Sequence, residues 1–441
     1  MTNHEPATTP RKPLWRRVWI WPLGVLALLV VAFAVCESQG WPFLKAPAER
    51  QLSARLQRPV EFGDSFALHF LHRIRLSTSA FRIGARQGSA ALAGESDLAR
   101  SQNAYLELPY STVFGLLQGD AGDTPRITAL RFAKVDAVLL RDAQGHANWS
   151  FGPPAARRID MPVVDELVIE SGHVTVKDEL LKGELDATVS TTEGSQAAKP
   201  AGLKIDGKGS HEKRPFEFHI TSAGVLPLVA PAGTPNAVPL TVELNAGKSH
   251  ATFNGTATDV LSLRALDGLV SLAGPSLAAV GDAVGVTLPT TSAFVLKGRL
   301  GKAAQLWSLK QADLHVGDSR LGGNFSFDRA RKVPLLSGEL GGERLVLADL
   351  APAFGAPAPG AGNPPPPPGK VLPEREFDIP SLHAMDAEVK IQVKRAELGR
   401  LFAQPLEPMQ GDLTLSGGVL NIANLVARAA GGELKGGVGI D

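Results

Sequence analysis

A single cysteine, Cys36, stands in a chain of 441 residues, so no intramolecular disulfide and no cysteine-based zinc site can form. Charge of either sign is not in excess: 45 Lys and Arg face 44 Asp and Glu, and four of the bases, Arg11, Lys12, Arg16 and Arg17, lie before residue 18. The remainder has no basic surplus with which to hold nucleic acid, and nucleic-acid partners are not expected. Aromatic residues are few, at 6%, whereas the 46 glycines and 33 prolines are many. That balance suits short strands joined by turns better than helical packing and predicts a mainly β chain.

Catalytic signatures are missing as well. No glycine-rich phosphate loop closes on Gly-Lys-Ser/Thr, and neither His-Glu-x-x-His nor Gly-x-Ser-x-Gly occurs. His69 and His72 form an isolated pair without an acidic third ligand beside them, and two histidines alone hold no structural metal. Asp165 with Glu166, or Asp136 with Asp142, are the residue types of an acid/base pair, but carboxylates are ordinary on solvated strand faces. No catalytic, cofactor or metal site is therefore expected, and the chain reads as no enzyme.

What is present begins with residues 18–36, a run without charge. As a helix rising about 1.5 Å per residue it spans roughly 28 Å, close to one bilayer hydrocarbon thickness. The bases before it predict a cytoplasmic N-terminus and an outside location for everything after Glu37, and Trp15, Trp19, Trp21 and Trp41 bracket it as interfacial indoles do. A cleaved signal sequence is the alternative, with Ala32-Phe33-Ala34 as a small-x-small site. The long basic lead-in and long apolar run favour a retained anchor. A lipoprotein site at Cys36 is disfavoured by Val35, where a small residue belongs.

Period-2 alternation marks strands in the rest. Leu240, Val242 and Leu244 alternate with Thr241, Glu243 and Asn245 before a turn at 245–248 and a return strand through Ala251 and Phe253. Residues 164–169 and 174–176 read as two strands around a turn at 170–173, while Val389, Ile391 and Val393 alternate with Glu388, Lys390 and Gln392. Residues 413–415 meet 420–422 across 416–418. Helices are predicted over 45–56, with Leu52 and Leu56 on one stripe, over 111–117, and over 259–272 and 275–284 as an insertion between strands. Residues 351–369, with uninterrupted prolines at 364–368, read as an extended linker. The segment 321–328 recurs in outline as 434–441, which predicts a reused β unit and a chain that continues past residue 441.

One segment carries a family resemblance. Residues 136–152, with Val138 and Leu140 feeding a strand, Asp142 and Gly145 in a turn and Asn148-Trp149 closing it, resemble the corresponding strand, turn and closure of the AsmA family. Residues 49–60 resemble that family's helix after the anchor, with Gln57 where a small residue is usual; 288–289, 294–298, 314–319 and 334–340 resemble its repeated middle region. The resemblance implies an elongated, curved antiparallel β-sheet forming a groove behind a transmembrane helix, with a few short helices. Its divisions would be a cytoplasmic tail (1–17), the anchor (18–36), an N-terminal β region (37–160), groove repeats (161–350) with a helical insertion (259–286), a proline-rich linker (351–370) and an incomplete further repeat (371–441).

The family further implies a bacterial inner-membrane protein, single-pass and largely periplasmic, that conducts phospholipid acyl chains towards the outer membrane. Phospholipids and the inner membrane would be its partners, with envelope proteins beside them. Leu240, Val242, Leu244, Val389, Ile391 and Val393 are the candidate groove residues, each with packing in an ordinary core as the competing reading. A membrane-anchored scaffold or regulator of outer-membrane protein assembly stays open beside lipid conduction. The orientation has a direct check: a reporter active only in the periplasm, fused after Pro59, is expected to work, and silence there with activity of a cytoplasmic reporter at the same point contradicts it.

Overall fold

The computed structural model describes residues 15–86, 96–112, 126–149, 163–194, 202–225, 237–258, 265–278, 290–350, 385–399, 402 and 404–440. The chain divides into two compact units, Met1–Val135 with Asn148–Asp165, and Asp136–Ala147 with Glu166–Asp441. Residues 166–441 fall in the second unit.

The first unit opens with helix α1 (Trp15–Gln39), which contains the whole uncharged run. Gly40, at φ 73°, ends it, and the Trp41 N–H returns to the Cys36 carbonyl at 3.1 Å, closing the last turn as a left-handed cap does. Among the described residues no single helix is long and apolar enough to cross a membrane; Gly24–Gln39 and Pro42–Ala54, bent by 74°, reach that length and composition as a pair. The second limb carries Lys45, Glu49 and Arg50, so the apolar part is α1, where Val25, Leu28, Val31 and Val35 are exposed.

A 3-10 turn (Pro42–Leu44) leads into α2 (Lys45–Leu56), which matches the expected helix and ends at Gln57 with φ 55°. Its Glu49 and Ser53 side chains accept the N–H groups of Phe62 (2.8 Å) and Val60 (2.9 Å), stitching α2 to β1 (Val60–Phe62). Strand β3 (Ile74–Ile83) pairs antiparallel with β1, with β2 (Ala67–His69) and with β4 (Ala99–Leu108). Phe62, Phe66 and Phe81 cluster there with ring centroids 5.2 and 5.5 Å apart. The short strands β5 (Arg126–Ile127) and β7 (Val163–Val164) pair in parallel, and the chain passes to the second unit within β6 (Ala129–Arg141). The predicted helix at 111–117 is described only at its start, 110–112.

The second unit is a strand meander: β8 (Leu167–Asp178), β9 (Gly183–Glu193), β10 (Gly202–His211), β11 (Arg214–Ser222), β12 (Val238–Ala246), β13 (Ser249–Thr258), β14 (Ala265–Gly274), β15 (Phe294–Ala303), β16 (Leu306–Val316), β17 (Ser319–Asp328) and β18 (Leu335–Val346) pair antiparallel in succession. After α3 (Leu347–Leu350) the chain returns as β19 (Asp386–Glu397), parallel to β18, and continues antiparallel through β20 (Met409–Ser416), β21 (Val419–Ala429) and β22 (Gly432–Ile440).

Three expectations are corrected. The sheet is mixed, because the long connection after α3 lets β19 start at the same end as β18, and a parallel pair needs such a crossover. The predicted helix over 259–272 is strand β14 from Ala265 on: Leu266, Gly268, Val270 and Leu272 alternate towards one face, and ladder pairing to β13 and β15 overrides helical spacing. The turn at 170–173 is a bulge inside the continuous strand β8, with the register shifting between Ile169 and Gly172. The linker at 351–369, and 259–264 and 279–286 of the insertion, lie outside the described residues.

Two polar devices hold the parallel junction. Glu397 receives Arg344 through two bonds (2.8 and 3.0 Å) and Arg395 at 2.9 Å, and these guanidiniums, Arg344 first, lower its pKa from 4.5 to about 2. A depressed carboxylate stabilises the fold above its unfolded pKa, and this contribution is lost as pH falls from about 4.5 towards 2. Asp349, buried in α3, accepts the N–H groups of Asp318 (3.0 Å) and Ser319 (2.9 Å) and the Ser319 hydroxyl (2.7 Å), locking α3 to the turn after β16. Asp349→Ala would strand buried donors and is expected to cost about 2–4 kcal/mol in chemical unfolding of the full chain; a cost below about 0.5 kcal/mol would contradict the lock.

Candidate functional site

The strand register decides which side chains share a face. Starting at Leu240, the cross-strand partners run Gly255, Gly268, Leu300, Leu309, Phe325, Gly338 and Val389. Starting at Leu244, they run Ala251, Leu272, Leu296, Leu314, Leu321, Gly342 and Val393. Between these, Val242 leads through Phe253 and Val270 to Gly298, and beyond a bulge Ala312, Gly323 and Leu340 lead to Ile391. The six sequence-predicted groove candidates thus fall on three adjacent apolar rows, two residues from each row. At about 4.8 Å per strand the rows run roughly 34 Å from β12 to β19.

A bulge keeps the middle row intact. Sequence parity in β16 changes between Leu309 and Ala312, where Gln311 sits at φ 51° and its N–H donates to the Asn324 side-chain oxygen at 2.9 Å. Without that extra residue, Leu314 and Val316 would face the other way from Trp307 and Leu309. Glycines lower the face in step with aromatic neighbours. A Cβ on Gly338 would lie 2.8 Å from the Phe325 ring, and one on Gly207 would lie 2.4 Å from the Phe218 ring. Each ring therefore covers the position its cross-strand partner leaves open, which keeps an apolar surface without projecting side chains.

Burial separates the candidates. Leu240 (8% exposed) packs with Leu203, Val238 and Ala257, and Val393 (2% exposed) packs with Leu321, Leu345, Ala396, Leu406 and Ala427. These two belong to closed clusters. Val242, Leu244, Val389 and Ile391 are half-buried. Among the described residues of this unit there is no second sheet and no helix longer than α3 to cover them.

The opposite face is polar. Glu243 leads through Thr252, Ser271, Lys297, Asp313, Gly322 and Gly341 to Gln392. A hollow of 790 Å³ opens on that side where Gly322 and Gly341 supply no side chain, lined by Asp313, His315, Arg320, Glu339 and Lys390 among others. Its charged lining gives an apolar ligand no reason to leave water there. His219 with Asp206 and His173 with Asp186 (2.9 Å) add hydrogen-bonded pairs on the same polar side, and no group of three metal-ligating side chains occurs among the described residues.

The residues of the family-like motif have structural duties. Asp142 caps its turn, its side chain accepting the N–H groups of Gln144 (3.0 Å) and His146 (2.8 Å), with Gly145 at φ 88°. In the first unit Asn148 is buried and its main-chain carbonyl accepts a bond from buried Arg58, which also donates to the Gly84 carbonyl at 3.3 Å. Trp149 is half-buried. Sequence reasoning placed Phe253 on the return strand without counting it among the groove residues, and missed Val270 and Leu272; the alternation in 266–272 was the available signal for those two.

No family model and no solved structure matches the chain. Among curated proteins it is similar to the AsmA family protein YhjG of Escherichia coli (strain K12), with 21% identity over 474 aligned residues that take in 93% of this chain and 65% of the relative.

An open apolar face and a packed cluster respond differently to a charge. Ile391→Glu is expected to leave the full chain folded at a cost of about 1–2 kcal/mol, and Val393→Glu, inside its cluster, to cost about 4 kcal/mol or more in chemical unfolding. Equal losses at the two positions would show the apolar face to be closed core at Ile391 as well.

Proposed function

This chain belongs to the AsmA family, and from that premise we propose that it is an envelope protein whose second unit carries phospholipid acyl chains along the three apolar rows. In the proposal α1 is retained in the bacterial inner membrane with the N-terminus in the cytoplasm, and the two units stand in the periplasm and contribute to outer-membrane lipid supply. The observation that carries the reading is the agreement of Leu240 with Val389, Val242 with Ile391 and Leu244 with Val393 along continuous rows, most of whose members keep partial exposure.

The chemistry required is solvation alone. Each methylene moved from water to an apolar surface gains about 0.8 kcal/mol, so about fifteen methylenes gain roughly 12 kcal/mol when fully covered. A row of aliphatic side chains and low-lying rings offers every step along it nearly the same environment. An acyl chain therefore meets no deep well in which to stop, and the headgroup stays in water at the strand ends. No bond is made or broken, and the reading is non-enzymatic.

The scaffold reading draws on a different observation, the closed clusters around Leu240 and Val393. There the same face would be core, and partners would bind the polar side. The two readings part at one residue pair. A photo-crosslinking amino acid at Ile391 is expected to capture phospholipid on illumination in cells, and one at the neighbouring Gln392 is not. Capture of protein alone at Ile391, or equal lipid capture at both positions, would overturn lipid conduction.

A further inference from the structure

The end of α1 is joined to the rest of the first unit by a buried carboxylate. Glu37 accepts the backbone N–H groups of Phe70 (3.1 Å) and Leu71 (3.0 Å) and the Trp41 indole N–H (3.0 Å), while the Leu68 N–H bonds to the Gly40 carbonyl at 2.7 Å. The loop at 70–72 is thus fixed against the helix end rather than left free. Trp41, held at φ 48°, packs edge-on or tilted against Phe33, Phe43 and Phe70 with ring centroids 5.4 to 5.6 Å apart, and the Tyr110 hydroxyl donates to the Phe70 carbonyl.

This cluster presents apolar groups outward. Phe43 is 60% exposed, Leu71 48% and Tyr110 40%, and through Phe33 they are continuous with the exposed aliphatic surface of α1. Lys45, His72 and Arg73 stand in the adjoining segments, Arg73 paired with Glu107 at 2.7 Å. Rings with one polar edge, aliphatic side chains and basic groups together match the zone where acyl chains give way to phosphates.

We propose that Phe43, Leu71 and Tyr110, gathered around Trp41 by the Glu37 latch, form a second membrane contact that seats the first unit in the headgroup region of the bilayer entered by α1. This rests on the reading of α1 as a retained anchor. It goes beyond that reading by giving the sheet of the first unit a fixed seat at the lipid surface instead of a tether. The Lys45 ammonium beside the cluster favours anionic phospholipid as the occupant.

The test places single cysteines at Leu28 and at Leu71 of the full chain in a Cys36→Ser background, each carrying a nitroxide, in nanodiscs of phosphatidylethanolamine and phosphatidylglycerol. Electron paramagnetic resonance saturation then compares collisions with oxygen, which concentrates in the bilayer, against a water-soluble nickel chelate. The label at Leu28 is expected to lie deep, and the label at Leu71 to favour oxygen several-fold over a nitroxide free in water. A water-like ratio at Leu71 with a deep label at Leu28 overturns the second contact and leaves the anchor standing. A water-like ratio at both removes the anchor and the inference together.

Discussion

Cross-strand register is the constraint on which the second unit depends. Side chains alternate between the two faces of a strand, so one residue of slippage anywhere would send every following apolar residue to the polar side. Along β12 to β19 that parity holds without a break in the rows through Leu240 and Leu244, and in the row through Val242 it is restored by the extra residue in β16. The parallel return of β19 obeys it too, since Gly338 faces Val389 and Gly342 faces Val393. Glycine beneath phenylalanine then sets how far the surface projects, and the charged residues of the other face are free to pair with each other.

Connections outside the ladders rely on a second device, a buried carboxylate that collects backbone N–H groups. Glu37 serves the loop after β2, Asp349 the turn after β16, and Glu193 the segment after β11, where it accepts the Val225 N–H at 2.6 Å and the Thr191 hydroxyl. The Leu71 and Phe70 N–H groups and the Trp41 indole N–H all converge on Glu37, which ties the orientation of the aromatic cluster at the end of α1 to the sheet it adjoins.

Alternation alone located β12 and β19 and put Leu240, Val242, Leu244, Val389, Ile391 and Val393 on apolar faces. That these faces are one face was not legible, because register is a property of pairs of strands and the connection at 351–384 hides which way β19 runs. Strand β14 was misread because Leu266, Leu269, Val270 and Ala273 also satisfy helical spacing, and the ladders on both sides decide the matter. The bulges at Ser171 and Gln311 have no marker in the sequence stronger than a polar residue between apolar ones. Glu37, Glu193 and Asp349 look like any other acids until the backbone groups they serve are in place.

Stability and function make opposite demands on the apolar face. Closed clusters at Leu240 and Val393 hold the sheet, while the proposed lipid path needs the half-buried residues between them to stay available for an acyl chain. On the proposed reading such a path carries lipid whenever lipid is at hand, so the full chain, gently extracted, is expected not to be empty. Native mass spectrometry after a detergent exchange that strips annular lipid from α1 is predicted to find stoichiometric phospholipid still bound to the folded chain; a folded chain free of lipid after that exchange would contradict the account.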